Sequence, residues 1–124
     1  MKKLTTKWFR KWSRKANLSD ERLLHSVSDL EKGFSTAELG GHLYKIRVKR
    51  DDGGKRTGYR TIIVFRKNDR AIFLYGFGKN EKGNIDKKEL LYFKKLAGDL
   101  LTLSSSQLIK AIEEKVLFDL EDSK

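Results

Sequence analysis

The chain has no cysteine and no proline among its 124 residues, and only two histidines. The first absence excludes disulfides and every metal site built on thiolate. The second removes a strong breaker of helices and strands, so element boundaries have to be read from Gly, Asp and Ser. The histidines, His25 and His42, do not share an element. With no cluster of acidic ligands either, no bound metal and no cofactor are expected. Long apolar runs are missing too, with nothing approaching the ~18 residues of a membrane span. Met1-Lys2-Lys3-Leu4-Thr5-Thr6-Lys7 is basic but lacks the apolar run of a signal peptide. A cytoplasmic protein without a membrane partner is expected.

Positive charge is abundant: 28 Lys and Arg stand against 17 Asp and Glu, a net charge of +11 with a pI near 9.9. It is unevenly spread. Residues 1–66 hold 17 basic and 7 acidic side chains, residues 67–124 hold 11 and 10. Such a bias suits nucleic acid, an acidic protein or an anionic surface. The length suits one domain, 1–124.

The densest positive stretch is a hairpin pattern. Leu43 to Arg50 and Gly58 to Phe65 are rich in β-branched and aromatic residues, joined by the Asp- and Gly-containing turn 51–57. From 43 to 60 there are seven Lys or Arg and two Asp, a local net of +5. A period of two sends Tyr44, Ile46 and Val48 to one face and Lys45, Arg47 and Lys49 to the other. Arg60 returns near that basic row.

Around it, residues 3–7 read as a short edge strand and Lys7 to Lys15 as a helix with Trp8 and Trp12 in the core. Ser19 reads as the N-cap of a second helix, with Asp20 and Glu21 in its first turn. Leu23, Leu24, Val27, Leu30 and Phe34 form its apolar stripe, and Gly33 its C-terminal cap. The two helices form an antiparallel pair or one kinked helix. Leu39-Gly40-Gly41 is a loop, and Ala71 to Phe77 a third strand of an antiparallel meander. A third helix starts near Asp86. Ser104 to Gln107 resembles a capping box opening a last helix, and Val116 to Leu120 is an extended tail or a fourth strand.

Two motifs stand out in this order: Lys55-Arg56-Thr57-Gly58-Tyr59-Arg60 and Leu74-Tyr75-Gly76-Phe77-Gly78-Lys79-Asn80-Glu81. With two helices before them and one after, the chain resembles the RelE/HigB superfamily of toxins from type II toxin–antitoxin systems, over roughly Lys3 to Leu103. Residues 104–124 are then a C-terminal extension. The resemblance implies an α+β fold: two N-terminal helices packed on a small antiparallel sheet of three to four strands, followed by C-terminal helices. It also implies a metal-independent mRNA endoribonuclease acting on the ribosome, neutralised by a cognate antitoxin that is often a helix-turn-helix protein.

Carried onto this sequence, Lys45 and Arg47 match the family's basic strand pair and Arg60 the arginine of its Gly-Tyr-Arg element. Lys79 and Asn80 fall where RelE has a Lys-Arg pair, and Asp86 lies near the place of its catalytic tyrosine. Metal-free RNA cleavage requires a base for the 2′-hydroxyl and positive charge for the phosphorane. Arg47 and Arg60 suit phosphate clamping, because guanidinium stays charged. Lys45 is the candidate base, since neighbouring cations disfavour its charged form. Lys49, Lys55 and Arg56 would position phosphates, and Tyr59 would stack on an unpaired base. Tyr59 and Tyr75 are the candidate phenols. A solvated strand face accounts for the same lysines in structural terms, and a surface salt bridge for Arg60. Two other functions fit the scaffold: a ParE-like toxin that inhibits DNA gyrase without cutting RNA, and an RNA-binding module without catalysis.

Overall fold

The computed structural model describes residues 1–34, 37–49, 58–78 and 80–122. In chain order the elements are β1 (Lys2–Thr6), α1 (Lys7–Lys15), α2 (Asp20–Glu31), β2 (Ala37–Gly40), β3 (Leu43–Val48), β4 (Tyr59–Arg66), β5 (Arg70–Gly78), α3 (Lys87–Thr102), α4 (Ser105–Glu113) and β6 (Leu117–Asp119). Six strands form one mixed sheet in the order β2-β3-β4-β5-β1-β6. Only β1 and β5 run parallel; the other neighbouring pairs are antiparallel. The class is α+β, with six strands in a mixed sheet in place of the small antiparallel sheet of three to four expected from sequence.

Each helix starts where a side chain takes an orphan backbone N–H. Thr6 Oγ1 accepts from Phe9 N–H at 3.1 Å and Ser19 Oγ from Arg22 N–H at 3.2 Å. Asp86 with Glu89, and Ser104 with Gln107, close full capping boxes.

The helices sit on both faces of the sheet. On one, Phe9, Leu23, Val27 and Leu30 of α1 and α2 bury Ile46, Val48, Ile63, Phe65 and Phe73. On the other, Phe93, Ala97, Leu100 and Leu108 of α3 and α4 bury Leu43, Ile62, Val64, Ile72 and Leu74. Double coverage explains the unbroken run Ile62-Ile63-Val64-Phe65: a strand buried on both faces has no solvent side on which to alternate.

Four sequence expectations need correcting. β1 is not an edge strand, because β6 pairs along its outer side. Leu39 and Gly40 belong to β2, which pairs with β3; the glycine's positive φ of 91° falls at the register shift of that hairpin. Trp8 is not core: it stands 49% exposed, packed on Tyr75 rather than beneath the sheet. Phe34 lies past the end of α2 and is 64% exposed.

Candidate functional site

The site begins at a fault in the β4–β5 ladder. Ile62 pairs with Tyr75 but Ile63 with Phe73, so Leu74 is an extra residue on β5. The bulge resets which way β5 faces. Leu74 and Tyr75 both join the α3 side, and Gly76 faces Trp12 so closely that a Cβ there would run into the indole. Tyr75 and Phe77 are thereby aimed at the α3 side of the sheet, where their rings meet at 6.0 Å.

The basic residues of the hairpin come to that same face. Ile46 and Val48 pack under α1 and α2, so alternation turns Lys45 and Arg47 the other way. Tyr59 packs on the α1 side, which turns Arg60 toward α3. Arg47 stands directly opposite Arg60 across the β3–β4 ladder, and Arg60 opposite Phe77 across β4–β5. Two like charges face to face destabilise a sheet. Neither guanidinium has an ion pair or hydrogen bond with a described residue. Gly58 makes the arrangement fit: a Cβ there would crowd Arg47 Cγ at 3.2 Å and the Val48 carbonyl at 3.1 Å.

Lys45 has a partner that sequence reasoning missed. Its Nζ donates to Asn84 Oδ1 at 3.2 Å, and the same oxygen accepts the Ile85 N–H at 2.9 Å. The amide is thus fixed by the turn that leads into α3. The only sequence signal was the turn dipeptide Gly83-Asn84. Nearby, Lys82 donates to Glu89 Oε2 at 2.6 Å and lies 5.6 Å from the centre of the Tyr75 ring. That hydrogen bond, with the Asp86 N–H, holds the Glu89 carboxyl below its ordinary range; the Glu89 partner raises Lys82.

Lys45, Arg47 and Arg60 therefore share one face at one end of the sheet. Lys49 follows the end of β3; at this rim of the sheet it and Arg47 also border, on the α2 side, a cleft of about 310 Å³ lined by Arg22, His25, Ser26 and Asp29. Tyr59 is on the opposite face, edge-on to Trp12 at 5.2 Å and 87°. Tyr75 is on the site's face, between Trp8 and Phe93 at 4.8 and 5.0 Å. Asn80 is exposed in the turn after β5. Lys55, Arg56 and Lys79 lie outside the described residues. Among the described residues no group of three or more His, Asp or Glu is arranged to hold a metal ion, and no helix is long and apolar enough to cross a membrane.

Over residues 1–120 the sequence matches the family model described as the RelE toxin of the RelE/RelB toxin–antitoxin system. That span takes in β6 and runs beyond the Leu103 limit read from motifs. No curated protein matches the chain. The chain belongs to the RelE toxin family and is the toxin half of a toxin–antitoxin pair.

Proposed function

From that membership, we propose that this toxin is a ribosome-dependent mRNA endoribonuclease of the cytoplasm. The observation that supports this best is the Arg47–Arg60 pair, opposed across the ladder with no described carboxylate between them. An intramolecular purpose for that repulsion is missing from the described residues. A phosphodiester supplies one: its two free oxygens take charge-assisted hydrogen bonds from both guanidiniums. As the 2′-oxygen attacks phosphorus, the growing negative charge is met by the same donors.

Lys45 is the base that takes the 2′-hydroxyl proton. The bond to the 5′-oxygen breaks, that oxygen picks up a proton, and the products are a 2′,3′-cyclic phosphate and a 5′-hydroxyl. Asn84 orients the amine. Lys49, Lys55, Arg56, Lys79 and Asn80 are assigned to binding the message. Tyr59 contributes by supporting the hairpin through Trp12, since its ring packs on the side away from the arginines.

The test is 5′-end mapping of messages in cells pulsed with the toxin, with Lys45→Ala/Arg60→Ala alongside. New ends inside translated messages, lost in the double variant, are expected. Growth arrest with intact messages would overturn the nuclease and favour inhibition of a target such as gyrase.

A further inference from the structure

On the far side of Tyr75 from the arginines, a cleft of about 340 Å³ opens between α1 and α3, lined by Trp8, Tyr75, Tyr92, Phe93, Leu74 and Leu96, with Thr6 at its end. Its rims are unusually apolar for surface: Trp8 is 49% exposed and Tyr92 63%, and beside them on α3 Leu91 is 69% exposed. Exposed apolar surface of this kind marks an interaction site. The helices that flank it carry mostly positive charge. Lys11 stands one turn from Trp8; Lys88 and Lys95 stand one turn before and after Tyr92; all three are exposed. α1 has no acidic residue; of the two in α3, Glu89 is engaged by Lys82 and Asp99 stands a turn beyond Leu96, toward the helix C-terminus.

We propose that this cleft is where the cognate antitoxin docks. An acidic amphipathic helix inserts an apolar side chain between Trp8 and Tyr92, and sets carboxylates against Lys11, Lys88 and Lys95. The cleft is an apolar groove along α3, closed at one side by Trp8 from the first turn of α1, and an amphipathic helix lays its apolar face into such a groove. The cleft suits an aliphatic side chain better than a nucleobase. The Thr6 hydroxyl already caps Phe9, and the floor of the cleft is made by Leu74, Phe93 and Leu96, which offer apolar contact. Because Tyr75 is shared, a helix seated here lies beside Arg60 and the basic face. The inference rests on the toxin–antitoxin pairing and not on the nuclease reading.

The test is calorimetric titration of the toxin with its antitoxin, taken as the co-encoded protein that restores growth. Trp8→Ala/Tyr92→Ala and Lys88→Glu/Lys95→Glu are compared with wild type, with Tyr92→Lys as a milder surface variant if the first pair melts early. Removal of central aromatic anchors should weaken binding about tenfold or more. Charge reversal should weaken it to a similar degree, more steeply at low salt. All variants should still arrest growth without antitoxin. Wild-type affinity in every variant would overturn the proposal. So would intact antitoxin binding with lost growth arrest, which would give the cleft to the toxin's target. Intact messages in arrested cells would remove the nuclease reading and leave this binding result standing.

Discussion

Strand β4 holds an arginine near each end, and each faces another arginine across the ladder: Arg60 meets Arg47, and Arg66 meets Arg70. The second pair is resolved within the protein. Asp69 lies between them, 2.6 Å from Arg66 Nη2 and 2.9 Å from Arg70 Nε. Their remaining donors reach the Leu101 and Leu100 carbonyls at 3.4 and 2.8 Å. Those carbonyls belong to the last turn of α3, which has no basic residue of its own. The arginines supply the positive charge that a helix C-terminus favours, and tie the β4–β5 turn to α3. Among the described residues the first pair has nothing comparable. One strand thus holds a structural arginine pair that shares one carboxylate and is partly buried, and a second, bare pair that no carboxylate of the described residues contacts.

The sharpest break in this comparison is expected at the bare end, in function. Lys45→Arg puts a group that cannot give up its proton in place of the proposed base. Message cleavage should drop by about 100-fold or more, with ribosome binding retained in a sedimentation assay. At the end that holds Asp69 the loss should be in stability. Asp69→Ala leaves Arg70, only 3% exposed, without its carboxylate, and should cost about 3 kcal/mol in a denaturant melt.

Acid should find the same weak point. Partial burial acts to raise the Asp69 carboxyl, but hydrogen bonds and charge from Arg70 and Arg66 outweigh it and hold it below the ordinary range. Glu89 is lowered as well. Both groups bind a proton less readily folded than unfolded. Their contribution is therefore complete above the unfolded values of about 4 and drains as pH falls through the folded ones. Melting temperature should decline on acidification below about pH 4, and Asp69→Ala should flatten that decline. The smallest effect is of opposite sign. Arg47→Thr relieves the bare pair and should raise stability by roughly 0.2–1 kcal/mol.

Local chemistry made much of this legible in sequence. Ser19, Asp86 and Ser104 marked helix starts because capping depends on one side chain and the N–H groups just after it. The alternation of Tyr44, Ile46 and Val48 against Lys45 and Arg47 gave the facing of β3. What escaped was set by partners distant in sequence. β2 is a strand only because β3 lies beside it, and β1 is interior only because β6 arrives from the other end of the chain. Trp8 read as core because its periodicity matches that of Trp12, yet the two rings stack at 6.4 Å with Trp12 inward and Trp8 outward. Tyr59 read as a base-stacking residue beside Arg60, but adjacent strand residues point to opposite faces. Asn84 was invisible because its role depends on a 39-residue reach back to Lys45.

The most direct measurement is message cleavage on programmed ribosomes by the purified Arg47→Glu variant, read alongside its melting temperature. A glutamate opposite Arg60 gives that arginine a carboxylate partner, as Asp69 is for Arg66 and Arg70. The account predicts a protein at least as stable as wild type that no longer cuts. A stable variant that cuts at the wild-type rate would contradict it.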